Sequence, residues 1–170
     1  MISLIILGII FLYAIISYNT LTRKRNNVDN AFGSIDVMLK KRFDLIPNLV
    51  ATVQQYAKHE EETFTKITNL RTKSYDSLTA EEKADFDKTF TAAKNNFFMV
   101  AENYPALRSS ENFMQLQKTL NETEEQLSAS RRTYNAAVTD YNNSVMTFPS
   151  LPTCSVLPKK KYSLFRRRKK

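Results

Sequence analysis

From Ile2 to Ile16 the chain is almost wholly apolar, and the run ends in Tyr18 followed by Arg23, Lys24 and Arg25. It reads as a membrane-spanning helix. At ~1.5 Å rise per residue, a helix from Ile2 to Tyr18 reaches roughly 25 Å. The hydrocarbon core is ~30 Å thick, and an interfacial aromatic or a slight thinning of the bilayer closes the gap. A cleaved signal peptide fits less well: no Lys or Arg precedes the run, and Ser17, Tyr18 and Asn19 offer no small-x-small cleavage pattern. The positive-inside rule then places Met1 outside and everything after Tyr18 in the cytoplasm, because the basic cluster lies only on the carboxyl side.

The 170-residue chain contains only two glycines and five prolines, too few for a sheet protein with many tight reversals. The composition implies an all-α body of one domain: a single transmembrane helix over 1–18, an antiparallel up-and-down bundle of three to four long helices over 19–149, and a disordered polybasic tail over 150–170. The formal net charge of +8 is confined to that tail. Lys159, Lys160, Lys161, Arg166, Arg167, Arg168, Lys169 and Lys170 include no acid among them and equal the whole excess, so the body is neutral. A neutral body lacks the positive groove that a phosphate backbone needs, which argues against nucleic acid as a partner. The tail instead suits anionic lipid, as a second and electrostatic contact with the membrane. The lone Cys154 closes no intramolecular bridge.

Apolar residues after Arg25 recur at helical spacing: Val28, Phe32, Ile35 and Leu39, then Ile46, Leu49, Val53 and Tyr56, then Phe64, Ile67 and Leu70. The alternation is that of a coiled coil or helical bundle, with Arg42 and Glu60 on the seam. Pro47 lacks an N–H and disfavours helical geometry at Ile46, so the chain either kinks or turns back there. Thr79 to Glu82 forms a capping box that opens a second segment, with seam Phe86, Phe90, Ala93, Phe97, Val100 and Tyr104, ended by Pro105. Ser109 or Ser110 caps the last long helix, whose seam runs from Phe113 through Leu120, Leu127, Tyr134, Ala137 and Tyr141 to Phe148, before Pro149 stops it.

Two stretches carry a family resemblance. They run from Tyr18 to Glu60, centred on Asp44-Leu-Ile-Pro47-Asn48-Leu-Val, and from Tyr104 to Phe148, with YPALRSSENFMQLQ and SRRTYNAAVTDYNNSV followed by FPS. On these the chain resembles the bacterial LemA family. The resemblance implies an N-terminal membrane helix at the bacterial inner membrane and a cytoplasmic antiparallel helical bundle. The family's molecular function is not established, and some of its relatives take part in magnetosome membrane formation. It brings no catalytic residues. Matching polar positions, among them Arg42, Asp44, Asn48, Asn112, Arg131, Asn135 and Asn142, are implied to serve structure or partner contact. The chain departs from the usual pattern at Glu125, where Asn or Asp is commoner, and in its basic tail.

Chemistry finds little to work with. A di-iron bundle site needs Glu-x-x-His on two helices, and His59 is the one histidine; tetrahedral zinc fails for the same reason. Cys154 lies in the tail far from His59, and no glycine comes after Gly33 to form a phosphate cradle. Pairs such as Asp36 with Asp44, or Glu122 with Glu125, read as helix-surface charges. No enzyme, cofactor or metal site is therefore expected. Arg42, Asn48, Glu60, Asn112, Asn135 and Asn142 stand on or beside the seams and read as register-setting polar groups. The expected function is a membrane-tethered scaffold or adaptor for unidentified protein partners. The alternative is a ligand sensor or enzyme using a polar cleft between helices.

Overall fold

The computed structural model describes residues 2–56, 60–71 and 74–146. Helix is the only extended regular structure among them: α1 (Ile2–Asp44), α2 (Ile46–Tyr56), α3 (Glu61–Thr68), α4 (Ala80–Ala101), the single turn α5 (Pro105–Arg108) and α6 (Glu111–Met146), with 3₁₀ turns at Asn69–Arg71 and Tyr75–Ser77. The all-α expectation holds. The basic tail, Phe148, Pro149, Cys154 and His59 lie outside the described residues, as does the side chain of Tyr56.

At Pro47 the chain kinks and does not reverse. Leu45 N–H bonds to Arg42 O at 3.2 Å, and Asn48 and Leu49 N–H both reach Leu45 O at 3.1 Å, so the ladder resumes around the missing proline donor and Ile2–Gln55 is one helical run. Pro47 sits in the first turn of α2, where its N–H would have had no helical partner in any case. The capping box is present as expected: Thr79 Oγ1 accepts Glu82 N–H at 3.3 Å, and Glu82 Oε2 accepts Thr79 N–H at 2.8 Å. Ser110 opens α6, its Oγ accepting Phe113 N–H at 3.3 Å. Pro105 departs from expectation. Instead of ending the second long helix, which stops at Ala101, it begins α5, where a fixed φ and no donor suit a first helical position.

The chain forms two compact units. One comprises residues 1–35 and 128–170, the other 36–127. In the first, α1 and α6 run antiparallel: Lys24 meets Asp140, and eight residues on, the Phe32 ring meets Tyr134 at 5.9 Å. Its buried residues are Leu21, Val28, Ala31 and Ile35 with Tyr134, Val138, Tyr141 and Val145. The stripe is rotated slightly from the one that spacing alone predicts. Ala31 and Val138 are buried, whereas Phe32 stands 42% exposed and leans on Tyr134 from the edge. Before Ser17, every described residue of α1 but Ala14 is exposed, a continuous apolar cylinder that no other described residue covers.

In the second unit the chain runs up and down. Asp36 meets Lys83 and Arg42 meets Asp87, so α1 and α4 are parallel. Thr63 meets Asn96, Lys94 meets Glu124 and Phe97 meets Phe113, so α3 and α6 are antiparallel to α4 where they pack on it. The core is aromatic. Phe43, Tyr75, Phe86 and Phe90 stack in tilted and edge-on pairs 5.7–6.4 Å apart, the geometry in which ring quadrupoles attract. Leu49, Val53, Ile67, Leu107 and Leu120 fill the rest. Along α3 and the 3₁₀ turn after it the buried face reads Thr63, Ile67 and Leu70, and Phe64 is only half-buried.

Candidate functional site: a buried charge cluster around Arg42

Arg42 is the largest fully buried side chain among the described residues, 2% exposed, inside an otherwise apolar stripe of α1 between Leu39 and Ile46. Helical spacing carries it there: it occupies the position that continues Ile35 and Leu39 inward. Burying a guanidinium is costly unless every direction in which it presents N–H finds an acceptor. Two other helices supply them. Asp87 Oδ1 on α4 accepts from Nη1 at 2.6 Å, Thr91 Oγ1 lies 3.4 Å from the same nitrogen, and Glu124 Oε2 on α6 accepts from Nη2. Lys94 adds a second cation on Glu124 at 3.3 Å, and the Arg42 guanidinium sits 5.5 Å from the Phe90 ring centre. Two cations and two anions sum to zero net charge, and α1, α4 and α6 are tied together at one level. A planar fork that meets carboxylates on two different helices is a task for arginine and not for lysine.

A second node lies next to it in the same unit. Tyr75, 2% exposed, donates its hydroxyl to Asp36 Oδ1 at 2.7 Å and lies 3.0 Å from Asp36 O. Lys83 donates to Asp36 Oδ1 at 2.8 Å and lies 4.6 Å from the Tyr75 ring centre. Burial pushes the Asp36 carboxyl up, but the bonds from Lys83 and Tyr75 outweigh it and hold the group below the usual carboxylate range. Burial and the Asp36 charge push the Tyr75 phenol well above its usual value, so it stays protonated and donating. The 3₁₀ turn between α3 and α4 is pinned to α1 in this way.

The other polar positions do not converge on these nodes. Asp44, Asn48 and Asn112 are exposed, and the Asn48 carbonyl accepts from Thr52 Oγ1 at 2.7 Å. Glu60 is half-buried and accepts the Tyr104 hydroxyl at 3.0 Å, which raises the Tyr104 phenol. Arg131, Asn135 and Asn142 are half-buried residues of α6 in the first unit. Lys159, Lys160, Lys161, Arg166, Arg167, Arg168, Lys169 and Lys170 lie outside the described residues. Sequence reasoning finds Arg42 but misses its partners. Asp87, Thr91 and Lys94 recur at helical spacing, each one residue beyond an apolar seam position (Phe86, Phe90 and Ala93), and Glu124 comes directly after buried Thr123. That polar stripe beside the seam is the signal the sequence offers for them.

One groove of this unit, about 240 Å³ between the Asn69 turn and α4, is lined by Leu70, Leu78, Glu82, Asp85, Phe86 and Thr89. Its carboxylates are engaged, Glu82 in the capping box and Asp85 with Lys88 at 2.8 Å. No group of three or more His, Cys, Asp or Glu among the described residues is placed to hold a metal ion.

The sequence is similar to Protein LemA of Metamycoplasma hominis, 27% identical over 147 residues; the alignment covers 84% of this chain and 65% of that protein, so the chain spans about two thirds of its relative. The model of the LemA family matches residues 31–170, which takes in the Arg42 cluster, α6 and the basic tail. The chain belongs to the LemA family.

Proposed function

We propose that the protein is a non-catalytic scaffold or adaptor, anchored in the inner membrane of a bacterium by the first turns of α1, with its helical body in the cytoplasm holding protein partners at the membrane surface. The observation that carries this reading is the continuity of α1. Ile2–Tyr18, apolar and exposed over nearly all its surface, passes into the buried stripe of the first unit without a break or linker. Such a cylinder is stable against lipid and not against water. The first unit would then move with its anchor, without a flexible joint between them. The saturated pairing of Arg42, Asp87, Lys94 and Glu124 weighs for a structural role, because a binding or catalytic cluster needs groups left available to a ligand. A ligand sensor or enzyme would need a polar cleft, and the groove beside α4 is smaller than the ~300 Å³ of an ordinary small-molecule site.

Two measurements on bacteria expressing the full chain test this. The protein should stay with the membrane fraction through alkaline carbonate. Added protease should spare the body in intact cells and remove it from opened ones. Release by carbonate would overturn the anchor, and digestion in intact cells would overturn the orientation.

A further inference from the structure

One face of α4 builds the groove beside the Asn69 turn. Glu82, Asp85, Phe86 and Thr89 recur at helical spacing, so their side chains share a stripe over two turns. Leu70 and Phe86 are buried and make its base, whereas Asn69, Asp85 and Thr89 stand exposed at its mouth. Leu78 adds apolar surface for a separate reason. The residue before an N-cap ordinarily packs on the fourth residue of the helix. Here that fourth residue is Lys83, which donates to Asp36 at 2.8 Å, so Leu78 lacks an apolar partner there and remains half-exposed in the groove.

The lining selects an occupant by its charge. It includes the carboxylates of Glu82 and Asp85, an amide from Asn69 and a hydroxyl from Thr89, but no cation. Acceptors around an apolar base fit a side chain with an aliphatic stem and a cationic head. Arginine suits them better than lysine, because its five donors form a rigid fork that meets several acceptors at once and its guanidinium is more weakly hydrated. At about 240 Å³ the groove has room for one large side chain, and arginine is enriched among the few residues that carry the binding energy of protein interfaces. Existing bonds leave it open. Glu82 gives Oε2 to Thr79 N–H, and Asp85 gives Oδ1 to Lys88 in a pair three-quarters exposed on both sides, which contributes little and yields to a better-placed cation. We propose that this groove is a docking point of the scaffold and takes an arginine side chain of a partner protein, its stem on Leu70, Leu78 and Phe86 and its guanidinium on Asp85. This rests on the scaffold reading above and adds the chemistry of the partner.

The test titrates the full chain in mild detergent, its leucine methyl groups isotope-labelled for nuclear magnetic resonance, with the capped tripeptide acetyl-Ala-Arg-Ala-amide. The Leu70 and Leu78 methyl signals should shift and saturate. The same peptide with citrulline, a near-isostere without the charge, should bind at least about fivefold more weakly, and Asp85→Asn should weaken the arginine peptide to a similar degree while leaving the Thr79–Glu82 cap in place. Shifts that are absent, or equal for arginine and citrulline, overturn the docking point. A lysine peptide that binds as tightly overturns the choice of arginine. Free arginine should bind no more tightly than the capped peptide, because the lining offers no cation to its carboxylate; tighter binding would make the groove a metabolite site and overturn its role in docking. Carbonate extraction and protease access read the membrane scaffold separately: a chain that passes both without an arginine-dependent shift loses only the docking point. A chain that binds the peptide but fails them loses the scaffold reading, and with it the groove's role in docking.

Discussion

Replacing Arg42 by alanine is the sharpest perturbation of the body. The substitution removes a guanidinium that is 2% exposed and leaves the Asp87 carboxylate, 13% exposed, and the Glu124 carboxylate, 28% exposed, without it. Breaking a buried pair from one side costs about 3–5 kcal/mol. Lys94 stays with Glu124 at 3.3 Å, and Glu124 has access to water, so the penalty falls mainly on Asp87. The lower end of the range, about 3 kcal/mol, is therefore expected. Guanidinium titration of the full chain in mild detergent, monitored by far-ultraviolet circular dichroism, should show the transition of the body moved down by about 1 M if its slope is about 3 kcal/mol per M. Arg42→Met with Asp87→Leu and Glu124→Leu replaces the cluster by apolar volume and should recover most of the loss, as replaced buried ion pairs often do. A change below about 0.5 kcal/mol for Arg42→Ala, the range of a surface substitution, would refute the view that this cluster ties three helices together.

Single contacts set the other expected outcomes. Tyr75→Phe deletes a buried donor to an ionised acceptor and should cost about 1.5–3 kcal/mol in the same titration, with the ring packing preserved. Because the Asp36 carboxyl is held below its usual range, its stabilisation is complete above the ordinary carboxylate value of 3.8 and is lost as pH falls through the lower folded value; Asp36→Asn should flatten that acid limb of the thermal midpoint against pH while lowering the midpoint at neutrality. Thr79→Ala removes a capping-box hydroxyl and should cost about 1 kcal/mol, and Thr79→Ser should restore it.

Periodicity and caps make the helices legible. Thr79 and Ser110 stand where their side-chain oxygens meet the first N–H groups of α4 and α6, and such local chemistry needs no tertiary knowledge. Proline is ambiguous because its missing donor is compatible with a kink, an end or a start. Pro47 falls inside the first turn of a resumed helix, and Pro105 begins one. Arg42 is conspicuous as a charge in an apolar stripe, yet its partners lie 45 and 82 positions away, a separation that helical spacing on one segment cannot encode. Asp44, Asn48 and Asn112 share its proximity to a seam, but one residue of helix turns a side chain by ~100°, enough to move it from core to solvent. The same rotation separates buried Ala31 from exposed Phe32.

On the proposed function, one helix is first a membrane span and then the opening helix of the body. A nitroxide placed in turn at each position from Ile2 to Ile35 of the full chain in vesicles, with collision rates measured against oxygen and against a water-soluble nickel chelate, tests it directly. Oxygen should dominate at every position to about Tyr18. Beyond that, nickel accessibility should rise and oscillate with a period of about 3.6 residues, with minima at Leu21, Val28, Ala31 and Ile35. Nickel accessibility throughout Ile2–Ile16, or a break in the helical period between Tyr18 and Val28, would contradict the account.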